Sequence, residues 1–265
     1  MLCGINLILL RGLGREAGHW LGFDELLKTA CQARMPHVKF RLSTPDIAGC
    51  GSAYTQTTPF SLRAITDSLC DSLPAKQQGE WNLLVGLSMG GMIALDMAQR
   101  HGHRVDGVVL INSSSATQAV WYRVKPKAML HAIYSLMVPW RLREKTMLRL
   151  VSNTNNPEVE NHWLEIQQQR PVARRNLLAM LLAASGFRMQ QSVRARGLVI
   201  SSDGDRMVSQ RCSTALAEQL HWPLKRHANA GHDLPLDDPE WLAGTIARWL
   251  AESFANEQNL RWPNG

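Results

Sequence analysis

The chain has 265 residues, 45% apolar and 19% charged, which suits one sizeable packed domain or a domain carrying a large insertion and excludes a disordered chain. Its formal net charge is +7. No apolar run nears the roughly 20 residues of a membrane span, and the N-terminal run at 5–10 lacks the basic start and cleavage site of a secretory leader. Five scattered cysteines (Cys3, Cys31, Cys50, Cys70, Cys212) show no C-x-x-C pair, so they read as free thiols of a cytoplasmic protein without structural zinc.

In chain order, short runs rich in Val, Ile and Leu at 5–10, 38–43, 81–87, 105–112 and 197–201, with a weaker one at 224–227, read as strands buried on both faces. Helix-like stretches at 20–34, 61–73, 91–101, 210–220 and 240–254 fall between them. In the last, Trp241, Leu242, Ile246, Trp249 and Leu250 sit near helical spacing behind Pro239. This alternation predicts an α/β fold with a doubly wound, mostly parallel sheet of about six strands. Residues 117–188 break the pattern. They carry no strand signal, and 128–138 and 174–184 are rich in Leu, Met and Ala, which predicts a helical insertion between core segments 1–116 and 189–265. The tail after Glu257 is expected to fray.

Gly86-Leu87-Ser88-Met89-Gly90 fits G-x-S-x-G, with a strand pattern before it and a helix pattern after it. A tight strand-to-helix turn there exposes the Ser88 hydroxyl, and the following helix N-terminus supplies positive potential where an oxyanion forms. The hydroxyl needs a base. His232, in Ala230-Gly231-His232-Asp233-Leu234-Pro235, follows the last strand candidate, so its loop reaches the sheet edge where α/β active sites lie. His37, His101, His103, His131, His162, His221 and His227 have no such setting and read as surface or core residues. A carboxylate to orient the imidazole is expected after the 197–201 strand, where Asp203 and Asp205 both qualify.

Gly-Leu-Ser-Met-Gly-Gly, Ser-Asp-Gly-Asp-Arg-Met-Val and Ala-Gly-His-Asp-Leu-Pro, in this order along nearly the whole chain, resemble the α/β-hydrolase superfamily. They are most similar to its small capped members, such as carboxylesterases and pimeloyl-carrier-protein methyl ester esterases. The resemblance implies that the acid of G-x-x-D is Asp205, with Ser209 where Pro is common, and that 117–188 is a lid. It implies an oxyanion hole built from the backbone N–H groups of Leu13 and Met89. Relatives carry His-Gly where this chain has Arg11-Gly12. Arg11 is expected to brace the loop through its carbonyls, or to set a cation beside the pocket, and Trp20 to serve packing. Relatives begin with a hairpin of two strands that this sheet is expected to lack, and Asp46 with Gly49 and Gly51 resembles their pocket-bordering Asp-x-x-Gly-x-Gly segment.

The expected activity is hydrolysis of a carboxylic ester through an acyl-enzyme, with no metal or organic cofactor. Thioester, C–C and lyase chemistry can share the same triad, and a catalytically idle ligand-binding protein is the rival from another class. Charge adds a hint about partners. Of 29 Lys and Arg, 11 fall between residues 117 and 190 against 4 of 22 acidic residues, so the other 18 basic residues are balanced by 18 acidic ones. Arg123, Lys125, Lys127, Arg141, Arg143, Lys145 and Arg149 flank the apolar Met129, Leu130, Ile133, Leu136, Met137 and Trp140. The plain expectation is an apolar face over the pocket with its charges in water. The sharper one is steering of an acidic acyl carrier protein or a CoA ester, with contact to anionic membrane as a third. No nucleic-acid-binding motif is present.

Overall fold

Alternate residues of each strand serve opposite layers. The computed structural model describes residues 4–73, 76–154, 156–189 and 193–261. Its first half runs β1 (Gly4–Leu10), α1 (Phe23–Arg34), β2 (Lys39–Ser43), α2 (Leu62–Ser72), β3 (Glu80–Leu87), α3 (Met89–Arg100) and β4 (Gly107–Ile111). Five consecutive helices follow: α4 (Val120–Arg123), α5 (Pro126–Met137), α6 (Trp140–Val151), α7 (Pro157–Gln169) and α8 (Arg174–Gly186). The chain then returns to the sheet with β5 (Arg196–Ser202), α9 (Gln210–Leu220), β6 (Leu224–His227), α10 (Leu234–Asp237) and α11 (Pro239–Arg261).

The six strands pair in the order β2-β1-β3-β4-β5-β6, every pair parallel. Ile5, Leu7, Leu9, Leu83 and Val85 pack with Leu27 of α1 and Ile246 and Leu250 of α11. Ile8, Leu10, Leu84 and Leu110 point the other way, onto Ile65 and Leu69 of α2, Ile93 of α3 and Leu216 of α9. Each such side chain contributes about 1.5–3 kcal/mol by leaving water. This double coverage is why the strands read as unbroken apolar runs.

Two helices differ from expectation. The stretch at 20–34 is split, because Leu21 (φ 51°) and Gly22 (φ 85°) turn left-handed between a one-turn helix ending at Trp20 and the start of α1. At the other end, α11 continues to Arg261, past Phe254 and over part of the tail expected to fray. Met1–Cys3 and 262–265 lie outside the described residues. Cys31, Cys50, Cys70 and Cys212 are free and buried.

The connection after β1 runs outward to β2 and that after β3 runs the other way to β4, which opens a crevice at the C-termini of the neighbouring strands β1 and β3. Leu10 is level with Gly86 in the register, which brings the segment after β1 beside the turn after β3. The insertion helices roof this edge, with α8 against α2 and α5, and α4 against α9. Among the described residues no helix is long and apolar enough to cross a membrane.

Candidate active site

Ser88 occupies the single residue between β3 and α3, at φ 56° and ψ −118°. A non-glycine residue held there costs about 1–3 kcal/mol, so its surroundings must enforce it. Ser88 N–H donates to Ile111 O (2.8 Å), and Ser113 Oγ donates to Ser88 O (2.8 Å). The flanking glycines allow the close approach. A Cβ on Gly86 would lie 2.4 Å from Gly90 O, and one on Gly90 would lie 2.1 Å from Leu10 O. Gly12 packs against Ser88, where an added Cβ would meet the serine Cβ at 3.4 Å.

His232 and Asp205 stand on the loops after β6 and β5. His232 Nδ1 is 2.7 Å from Asp205 Oδ2, and both side chains are buried. The other carboxylate oxygen, Oδ1, accepts from the backbone N–H groups of Met207 (2.6 Å) and Val208 (2.9 Å), which fixes the group's rotation. Asp203, the alternative acid, instead faces Arg226 at 3.2 Å in a half-exposed surface pair. Burial pulls the His232 imidazole down, but the charge and hydrogen bond of Asp205, with Asp233 behind, outweigh it and hold the ring above its ordinary value of 6.5. Among the described residues no hydrogen bond joins Ser88 Oγ to His232. Such contacts often tighten only when substrate seats.

Ser88, His232, Leu13 and Met89 border one cavity of about 430 Å³ between the sheet edge and the insertion. The N–H groups of Leu13 and Met89 have no acceptor among the described residues. Two unpaired backbone donors thus belong to residues on the cavity that Ser88 borders, one at the N-terminus of α3, where its dipole favours negative charge.

Residues 7–245 match the family model described as the alpha/beta hydrolase family. The chain belongs to that family. It is a hydrolase, as the sequence resemblance implies. It is 27% identical to a pimeloyl-[acyl-carrier protein] methyl ester esterase of Aromatoleum aromaticum, over 89% of this chain and 94% of that one. A protein of the same description from Yersinia enterocolitica is 32% identical over 48% of this chain and 46% of its own. Among solved structures, an esterase from Exiguobacterium antarcticum superposes with TM-score 0.73 at 16% identity, covering 94% of this chain and 92% of that one. That likeness is one of fold.

Within this alpha/beta hydrolase, Arg11 departs from the expected bonding to loop carbonyls. Its guanidinium meets the Asp233 carboxylate twice, at 3.2 and 2.5 Å, and stacks over the Trp20 ring at 4.7 Å. It also borders the cavity. A carboxylate beside His232 supplies two parallel acceptors that match the fork of an arginine, which a single carbonyl does not.

Asn112, at the end of β4, is a further residue that motif reading misses. Its Nδ2 donates to His232 O (2.9 Å) and Ser202 Oγ (3.0 Å), while Oδ1 accepts from Ser202 N (2.8 Å). One buried amide therefore ties the histidine loop to the end of β5. Its φ of 47° is one that asparagine tolerates, but a lone Asn closing an apolar run carries no distinctive spacing.

Two expectations about the insertion are corrected. Arg123 and Arg143 are buried, not solvated. On α5 Ala128, Met129, Ala132, Ser135 and Leu136 line the cavity, so Met129 and Leu136 of the expected apolar face reach it, while Leu130, Ile133 and Met137 lie exposed. Ala128 and Ala132 leave α5 room to approach closely, and Leu130, Ile133 and Met137 are left on the outside.

Proposed function

We propose that this alpha/beta hydrolase cleaves a carboxylic ester through an acyl-enzyme. The observation that carries the reading is the buried 2.7 Å contact between Asp205 and His232, which borders the same cavity as the strained, half-buried Ser88. Ser88 Oγ attacks the ester carbonyl as His232 Nε2 takes its proton. Asp205 holds Nδ1–H and stabilises the imidazolium without accepting the proton. The carbonyl oxygen, now negative, takes hydrogen bonds from Leu13 N–H and Met89 N–H. His232 then protonates the leaving alcohol, and a water activated by the same ring releases the acid. The helices of 117–188 act as a lid whose apolar inner wall favours an acyl chain and keeps water from the intermediate.

A second layer concerns the alcohol or acyl carrier. Lys127, Arg141 and Arg149 are exposed on the insertion, which favours an acidic carrier protein delivering the ester over a free small molecule. The test of the catalytic reading is fluorophosphonate labelling with a panel of short- to long-chain esters. Wild-type protein should label and turn over esters, and Ser88→Ala should do neither while keeping its melting temperature. Well-folded wild type that fails to label would instead favour a ligand-binding member of the fold.

A further inference from the structure

The turn that carries Leu13 is held at both arms. Arg15 N–H donates to Gly12 O (3.2 Å), closing a turn with Leu13 and Gly14 at its centre and Gly14 at φ 68°. Whatever fixes the two arms sets the aim of Leu13 N–H. Arg11, on the entry arm, is tied to Asp233. On the exit arm, the Arg15 guanidinium pairs with Glu144 of α6 and lies 4.0 Å from the centre of the Trp163 ring of α7. Between the arms, Gly14 N–H donates to Met180 Sδ of α8 (3.3 Å).

Glu144 is the anchor of the exit arm. Its side chain is buried, and each carboxylate oxygen takes one arginine: Oε2 accepts from Arg15, and Oε1 accepts from Arg143 Nε (3.1 Å). Arg143 also donates to Gln167 Oε1 of α7 (2.8 Å), so the carboxylate cannot swing without straining a second buried contact. Arg15 has no other carboxylate partner among the described residues. His19, 3.2 Å from Arg15 Nη1, supplies no countercharge, because burial and then the charges of Arg15 and Arg11 hold its ring well below 6.5. An arginine so little exposed, answered by one carboxylate, keeps that geometry, since any other leaves charge unpaired away from water.

We propose that Glu144 is a positioning residue for the oxyanion hole. It acts through Arg15, holding the exit arm of the Gly12–Arg15 turn so that Leu13 N–H meets the negative oxygen. The insertion thus does more than cover the cavity, since a carboxylate on one of its helices sets a donor that the sheet edge alone leaves loose. This role rests on the ester-hydrolase reading above.

The experiment reads the oxyanion apart from substrate binding. An alkyl trifluoromethyl ketone adds reversibly to the serine: the bond from Ser88 Oγ to the carbonyl carbon forms, the carbonyl π pair becomes the oxyanion, and the serine proton passes to His232 Nε2. In Glu144→Gln, kcat for a short-chain ester should fall by about ten- to a hundredfold, the scale of a misplaced donor, with KM changed by less than about twofold. The ketone inhibition constant should rise by a similar factor. Glu144→Asp should keep more of kcat than Glu144→Gln. The double variant Arg15→Met with Glu144→Leu should lose no more kcat than Glu144→Gln, because both residues act through one contact. It leaves no unpaired charge between the two positions, and so carries the test if Glu144→Gln does not fold. Arg170→Gln cuts a different tie of the insertion to this loop, at Glu16 beyond the turn, and should lower the melting temperature while kcat stays near the wild-type value. An unchanged ketone inhibition constant in folded Glu144→Gln overturns the role. So does an equal loss of kcat in Arg170→Gln, which makes attachment of the insertion in general the cause. In both cases wild-type turnover leaves the esterase reading intact. A wild type that neither cleaves esters nor takes the ketone overturns that reading, and the role of Glu144 falls with it.

Discussion

His232 stands between opposing influences, and their balance is measurable. Burial disfavours its charged ring, but the Asp205 contact at 2.7 Å raises its pKa above 6.5. As the base, His232 must be neutral in the free enzyme, so kcat/KM should be low in acid and rise with pH through a value above 6.5. Asp205→Asn removes the main raising influence and leaves Asp233 alone to raise the ring against burial and Arg11, which lower it. The acidic limb should then move to lower pH, and kcat should fall by about 10⁴-fold as the tautomer is lost. A limb that stays in place in Asp205→Asn would assign it to another group. At this scale Ser88 and His232 were legible in the sequence because a motif and a loop position are local. The choice of Asp205 over Asp203 came from resemblance, and geometry adds a reason: Asp203 is turned to Arg226, away from the ring. Asn112 was not legible, since its partners His232 and Ser202 lie 120 and 90 residues away.

Loops and helices are joined at the site by buried polar pairs that no local pattern announces. Arg11 follows β1 and Asp233 precedes α10, 222 residues apart, yet their side chains are both 4% exposed and meet in two contacts. The pair fixes the loop bearing Leu13 N–H against the loop bearing His232. Breaking one side leaves an unpaired buried charge, so Arg11→Met and Asp233→Leu should each lower stability by about 3–5 kcal/mol, whereas the double variant should recover much of that loss. Denaturant melts of the four proteins check this. Simple additivity would mean that the two residues stabilise separate neighbours. The insertion is tied in a similar way: Asp233 N–H donates to Val151 O (2.8 Å), and Arg206 donates to Arg149 O (2.7 Å) and Ser152 O (2.6 Å) near the end of α6. The strands were legible because burial on both faces removes polar residues from them. The helices of the insertion were legible only as a block, because α6 and α7 bury charged and amide side chains, Arg143, Glu144 and Gln167, in a network that reads as surface.

For the whole molecule, the surplus of positive charge is partly internal. Arg123 and Arg143 are buried, Lys125 donates to Asp205 O, and Lys145 pairs with Glu160, so the named cluster offers solvent fewer free cations than its sequence suggests. Lys127, Arg141 and Arg149 stay exposed, and Arg174 and Arg175 at the start of α8 add to them. All lie on the insertion, whose helices help to wall the cavity, whereas the rest of the chain is electrically balanced. A field of this kind accelerates encounter with an acidic carrier and is screened by salt, while a neutral ester feels little of it. If a carrier protein delivers the ester, its kcat/KM should fall by about tenfold or more from low to high salt, against less than about twofold for a small neutral ester. Replacing Lys127, Arg141 and Arg149 together by Gln should flatten the carrier slope and leave the small-ester rates in place, since none of the three borders the cavity. Equal slopes for the two substrates would remove the carrier from the mechanism, and the exposed charge would then act only on solubility.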